Sequence, residues 1–208
     1  MKRLLAILMI GCMLLPASCK KKQTTTTDDD TSTSKTSMEF LRQDYRLVTT
    51  RFPEAEGCMV QAQYRLNALV SEKKKAKDLY PSRVEYIYDL GWNAEKGLNT
   101  VVTYERNLTT TTVPVIFYEE LPKQITGKKF IGDFSEFKTV QDILKIIKDK
   151  KTEAPAIESA YVTLCYPDIE FDQGHALYVF GSPAETNEHV CVDAISGEVF
   201  VLEIKDFK

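Results

Sequence analysis

Twice along this chain of 208 residues a helical stripe closed by a proline is followed by a series of short alternating runs. That order limits the available folds more than any single motif does. Met38, Leu41, Tyr45, Val48 and Phe52 are spaced by three and four, one face of a helix, with Ser37 placed to cap its start and Pro53 ending it. Val60, Ala62, Tyr64 and Leu66 then alternate with Met59, Gln61, Gln63 and Arg65, the period of a half-buried strand. Further strands are predicted at Val84–Leu90, Leu98–Arg106 and Val113–Tyr118. Gly91 and Gly97 punctuate the first gap and Thr109–Thr112 the second, and Pro114 suits a strand start or an edge.

After a Pro- and Gly-punctuated connection from Leu121 to Asp133, the pattern repeats. Thr139 caps a helix whose buried stripe is Val140, Ile143, Leu144 and Ile147, with Lys145, Lys148, Lys150 and Lys151 towards the favourable end of its dipole and Pro155 closing it. Strands are predicted at Glu158–Tyr166, His175–Phe180, Glu188–Ala194 and Glu198–Ile204, the last two joined by a turn in which Gly197 takes the left-handed position. Laying Ala55–Tyr64 over Ile157–Tyr166 aligns Glu56 with Glu158, Val60 with Val162 and Tyr64 with Tyr166. The expected fold is α+β: two helix-plus-antiparallel-sheet units of αβββ type, residues 38–121 and 133–208, each helix burying one face of its sheet and the two packed as one body.

Ahead of this body stands a different kind of sequence. Lys2 and Arg3 precede an apolar run, Leu4–Leu15, and then Pro16-Ala17-Ser18-Cys19, the layout of a secretory signal. The run falls short of the roughly 20 residues that a spanning helix needs. Residues 20–37 hold no aliphatic or aromatic side chain, so they cannot bury enough apolar surface to offset chain entropy, and they read as a disordered tether.

The formal net charge of −3 becomes more negative when Lys2 and Arg3 leave with the leader, which argues against a nucleic-acid surface. Lys73-Lys74-Lys75 with Lys77 reads as a solvated face before an anion or headgroup patch. Cys12 leaves with the leader. Cys58, Cys165 and Cys191 contain no close Cys-x-x-Cys pair, so structural zinc has little support. Cys165 and Cys191 are a candidate disulfide across the sheet, with three partly buried free thiols as the favoured alternative.

His175 and His189 are the histidines available as bases or ligands, and neither sits in a recognisable catalytic constellation. The run from Asp168 through Glu170 and Asp172 to Gly174 has the acidic spacing of a calcium loop, but its glycine comes one position late and Val179 stands where a bidentate glutamate belongs. A solvated acidic loop is the favoured reading. Trp92, Tyr166, Phe171, Tyr178 and Phe180 could stack on sugars or anchor a peptide, though core filling is the commoner use of such residues. No base, nucleophile and orienter set is visible, so the chain reads as a non-enzyme without cofactor or metal.

Two resemblances extend this reading. The residues ending in Cys19 resemble the lipobox of bacterial lipoproteins in its looser Bacteroidetes form, with Pro16 where a branched aliphatic is usual and ordinary secretory cleavage as the alternative. This implies an acylated Cys19 and a lipid anchor in the bacterial outer membrane, on its periplasmic face or at the cell surface. The acidic triplet Asp28-Asp29-Asp30 resembles the export patches of such lipoproteins but begins late, which leaves both faces open. The element order resembles the PepSY-like fold and the tandem β-lactamase-inhibitor-like proteins, and Val190–Val199, with Asp193-Ala194, Ser196-Gly197 and Glu198-Val199, is similar to the terminal PepSY hairpin. That resemblance implies a membrane-anchored, non-catalytic binding or inhibitory module with a protein partner. The alternatives are a structural subunit of a surface assembly, a glycan-binding protein or a hydrolase.

Overall fold

A capping box starts the first helix, α1, at Ser37–Arg51. The Glu39 amide donates to Thr36 Oγ1 at 3.2 Å and the Thr36 amide donates to the Glu39 carboxylate at 2.6 Å. Thr36, rather than Ser37, is therefore the cap. The Ser37 hydroxyl is buried and accepts the N–H of Val140 at 3.1 Å, at the first residue of the second helix, α2, Val140–Asp149. One hydroxyl thus joins the N-terminal ends of both helices. In the α2 box Thr139 and Asp142 exchange the equivalent bonds, each 3.1 Å. The computed structural model describes residues 36–110, 112–121, 130–149, 157–167, 176–181 and 188–204; the leader, Cys19 and most of the tether lie outside them.

The strands come in two series: β1 Met59–Leu66, β2 Pro81–Asn93, β3 Leu98–Asn107 and β4 Val115–Leu121 after α1, then β5 Tyr161–Cys165, β6 Leu177–Phe180, β7 Glu188–Asp193 and β8 Val199–Glu203 after α2. All join one antiparallel sheet in the order β4-β3-β2-β1-β5-β6-β7-β8. This overturns the expected α+β arrangement of two αβββ-type, PepSY-like units. The molecule is mostly a single eight-stranded sheet with two short helices of 15 and 10 residues. The physical reason lies at the middle of the sheet, where β1 and β5 pair from Gln61↔Cys165 to Arg65↔Tyr161. Kept apart, each strand would present an open edge of unpaired backbone groups, and a buried one costs about 1–3 kcal/mol.

Strand ends also differ from the pattern. β4 begins at Val115 because Val113 is 84% exposed and Pro114 offers no N–H to a ladder. β2 and β3 extend into a long hairpin, with a register shift between Asp89 and Gly91.

Register sorts the side chains onto two faces. Ile116, Tyr104, Tyr86, Ala62, Leu164, Tyr178, Val192 and Val199 form one row across all eight strands. This face packs on Met38, Leu41 and Val48 of α1 and on Val140, Ile143 and Leu144 of α2. Both helices therefore cover the same side of the sheet. Each large side chain buried there contributes about 1.5–3 kcal/mol. The Tyr178 hydroxyl donates to the Lys138 carbonyl at 2.7 Å, tying β6 to the entry of α2. The β7–β8 hairpin presses on α2 as well. Gly197 sits at φ 79°, and a Cβ there would meet Ile146 Cδ1 at 2.7 Å, so both its backbone and the space beside it call for glycine.

Candidate binding face

The opposite side of the sheet carries neither helix. Its middle row runs Val115, Glu105, Glu85, Gln63, Thr163, Val179, Cys191 and Phe200. The row is polar over β3, β2, β1 and β5 and becomes apolar over β6 to β8. There Cys165, Leu177, Val179, Cys191 and Ile204 are buried together against Phe200 and Leu202. The chemically varied part of this face is accordingly the half around the β1–β5 seam, where Gln61 and Thr163 are buried but Arg65, Arg83 and Tyr161 are exposed.

One row further along the strands, Asn107, Arg83, Arg65 and Tyr161 stand side by side. Between these rows lies an open groove of about 160 Å³ lined by Gln63, Arg65, Arg83, Glu85 and Tyr161. The Arg83 guanidinium forms an ion pair with Glu105, and the Gln63 side-chain amide donates across the seam to Thr163 Oγ1 at 3.4 Å. Burial, reinforced by Glu105 directly opposite, pushes the Glu85 carboxyl above its ordinary value, with Arg83 acting the other way. Towards the β4 edge, Thr103 Oγ1 donates to Glu119 at 3.3 Å. Large side chains stand exposed around this polar field: Tyr161 at 43%, Phe117 at 40% and Val115 at 48%. Trp92, opposite Asn99 at the β2–β3 hairpin, is 57% exposed.

The candidate residues read from the sequence do not converge on a site. Cys19, Asp168, Phe171 and His175 lie outside the described residues. His189 is buried on β7, with Nδ1 3.0 Å from the Phe180 carbonyl oxygen. Cys165 and Cys191 are free thiols, which corrects the candidate disulfide. They sit on β5 and β7 with β6 between them and in different rows, Cys191 aligning with Thr163, so they stand more than about 9.5 Å apart, beyond the reach of an S–S bond. Burial pushes both thiols up, Cys191 to about 12. Tyr178 and Phe180 fill the helix-covered core, and Tyr166 packs at its margin. Lys74, Lys75 and Lys77 are exposed between β1 and β2.

Sequence reasoning missed Arg65, Arg83, Glu85 and Tyr161 as a group. The alternation placed Gln63 and Arg65 on the polar phase of β1, but which strands flank β1 depends on a pairing between residues 100 apart. Among the described residues no group of three or more His, Cys, Asp and Glu side chains could hold a metal ion, and no helix is long and apolar enough to cross a membrane. Comparison with protein-family models, with curated proteins and with solved structures finds no match to this chain.

Proposed function

We propose that this chain is a non-catalytic binding or inhibitory module of the bacterial cell envelope. It is held to the membrane through an acylated Cys19 and a short polar tether, and it takes a protein partner on the helix-free face of its sheet. The observation that carries this reading is the asymmetry of the sheet. Both helices serve one face, while the other keeps Tyr161, Arg65 and Arg83 together, near the middle of the strand order and open to solvent. Tyrosine and arginine are the residue types that dominate binding energy at protein interfaces, because each combines broad contact area with a directed polar group. The signal-like leader supports export, and the net negative charge disfavours nucleic acid as partner.

A photo-crosslinking amino acid placed at Tyr161 or Asn107, both exposed on this face, in the full chain, expressed in its own cells, tests this. One envelope protein should be captured from these positions and not from Arg46, exposed on the helix-covered side. Equal capture from both sides, or from neither, would refute it.

A structural subunit of a surface assembly is the second reading. It is favoured by the β4 edge, where Val115, Phe117 and Tyr118 are all exposed on a strand that pairs only with β3 among the described residues. Concentration-dependent association of the purified chain, abolished by Phe117→Lys, would select it.

A further inference from the structure

We propose that the groove at the β1–β5 seam is a carboxylate receptor, in which Arg65 and Arg83 receive an acidic group of the partner protein. The inference rests on the reading of the chain as a binding module and names the chemistry its partner must bring. Arg65 and Arg83 are directly opposite each other on β1 and β2. Two like charges in that position repel, and a sheet carries such a pair at a cost unless negative charge answers both. Glu105 answers Arg83. The Arg65 guanidinium has no ion pair or side-chain hydrogen bond among the described residues.

The surroundings suit an incoming carboxylate. Tyr161 stands opposite Arg65 on its other side, so its ring walls the groove and shields a charge contact from water. Gln63, one row along, lines the same space while its amide donates to Thr163. A guanidinium offers two parallel N–H donors matched to the two oxygens of a carboxylate. The volume of about 160 Å³ is enough to seat one side-chain head or one chain terminus, with the rest of the partner outside the open groove. Glu85, on the wall one row away, sets a limit: its proximity favours a partner oxygen that approaches Arg65 from the Tyr161 side.

Titration of the isotope-labelled full chain in detergent with N-acetylglutamate α-amide tests the site without any partner. The uncharged glutamine analogue serves as the control, and N-acetylglycine represents a chain terminus. Nε–H signals of Arg65 and Arg83 and the ring signals of Tyr161 should move with one of the two carboxylates at millimolar concentration and not with the glutamine analogue. The better of the two identifies the source as a side chain or a terminus. Arg65→Gln should weaken binding about tenfold, as expected for loss of one charge-assisted hydrogen bond. Tyr161→Phe, which keeps the wall, should retain most of it. Shifts of equal size with the glutamine analogue, or spread equally over exposed Arg42 and Arg46, would overturn the proposal. A positive titration beside failed crosslinking would remove the protein partner while leaving the carboxylate site in place.

Discussion

Arg106 on β3 grips the carboxylate of Asp44 on α1 with two hydrogen bonds, Nη2 to Oδ1 at 2.5 Å and Nε to Oδ2 at 2.9 Å. The Tyr104 hydroxyl adds a third at 2.6 Å. Asp44 is fully buried, and the Arg106 side chain retains 15% exposure and lies over the Phe40 ring. Asp44→Ala would strand the guanidinium against the core, and the expected loss is about 3–5 kcal/mol, read as a lowered urea midpoint. Replacing both partners with apolar residues of similar volume should cost much less, because no buried charge is then left unanswered.

The same substitution should have different effects at two stacked tyrosines. Tyr86 and Tyr104 lie 5.7 Å apart between ring centroids. The Tyr104 hydroxyl serves Asp44, so Tyr104→Phe should cost about 1–3 kcal/mol. The hydroxyls of Tyr64, Tyr86 and Tyr88 are buried without a hydrogen-bond partner among the described residues. Tyr64 and Tyr86 are near enough to influence each other's ionisation but lack hydrogen-bond geometry. Tyr86→Phe should accordingly be neutral or stabilising by about 1 kcal/mol. Equal losses at both positions in denaturant titrations would contradict this assignment.

Glu85 gives stability a pH dependence of defined sign. Its folded carboxyl is raised above the unfolded value, first by burial and then by Glu105. The native state therefore holds the proton more tightly. This contribution is complete below the ordinary glutamate value and is lost as pH rises through the higher folded value. Glu85→Gln should flatten the fall in stability across that window and leave the chain more stable than wild type above it. Urea midpoints measured at a series of mildly acidic pH values check both effects.

Cys165 and Cys191 should resist alkylation in the native chain and react together on unfolding, since both are buried with raised thiols. Cys58 is only partly buried and should react first, although burial and Asp89 slow it by raising its thiol. Peptide mapping after timed labelling gives the order directly.

A chain comprising only residues 130–208 should fail to fold. Its β5 would lose β1, and with it the partners of Val162 and Leu164 in the shared core. Residues 34–208 form one compact unit and should melt in a single transition. Two resolved transitions by calorimetry would restore the picture of independent halves.

Local order was legible in the sequence because helices and strands leave periodic traces. The stripes of Met38, Leu41 and Val48 and of Val140, Ile143 and Leu144 are buried as their spacing requires, and Ala62, Tyr64 and Leu66 face the core. The cap was misplaced by one residue because Thr36 and Ser37 are equally able to cap, and Glu39 decides between them by bonding back to Thr36. Pairing left no such trace. Nothing in Gln61–Arg65 states that Tyr161–Cys165 will lie beside it, so one continuous sheet was read as two, and the juxtaposition of Arg65, Arg83 and Tyr161 was invisible. The two cysteines misled for the same reason: their phase was readable, but the intervention of β6 was not.

The central seam has a consequence for the order in which this chain acquires its structure. The β1 strand is made early and can pair with β2 locally, but its other neighbour is 100 residues away at Gln63 and Thr163. Contacts of such high sequence separation form slowly, since the loop must close before they reward it. Until the second half arrives, β1 waits with a bare edge beside a nearly complete first half, the very situation that invites misassociation in a nascent protein. A chaperone acting on this chain has its target at the middle of the finished molecule.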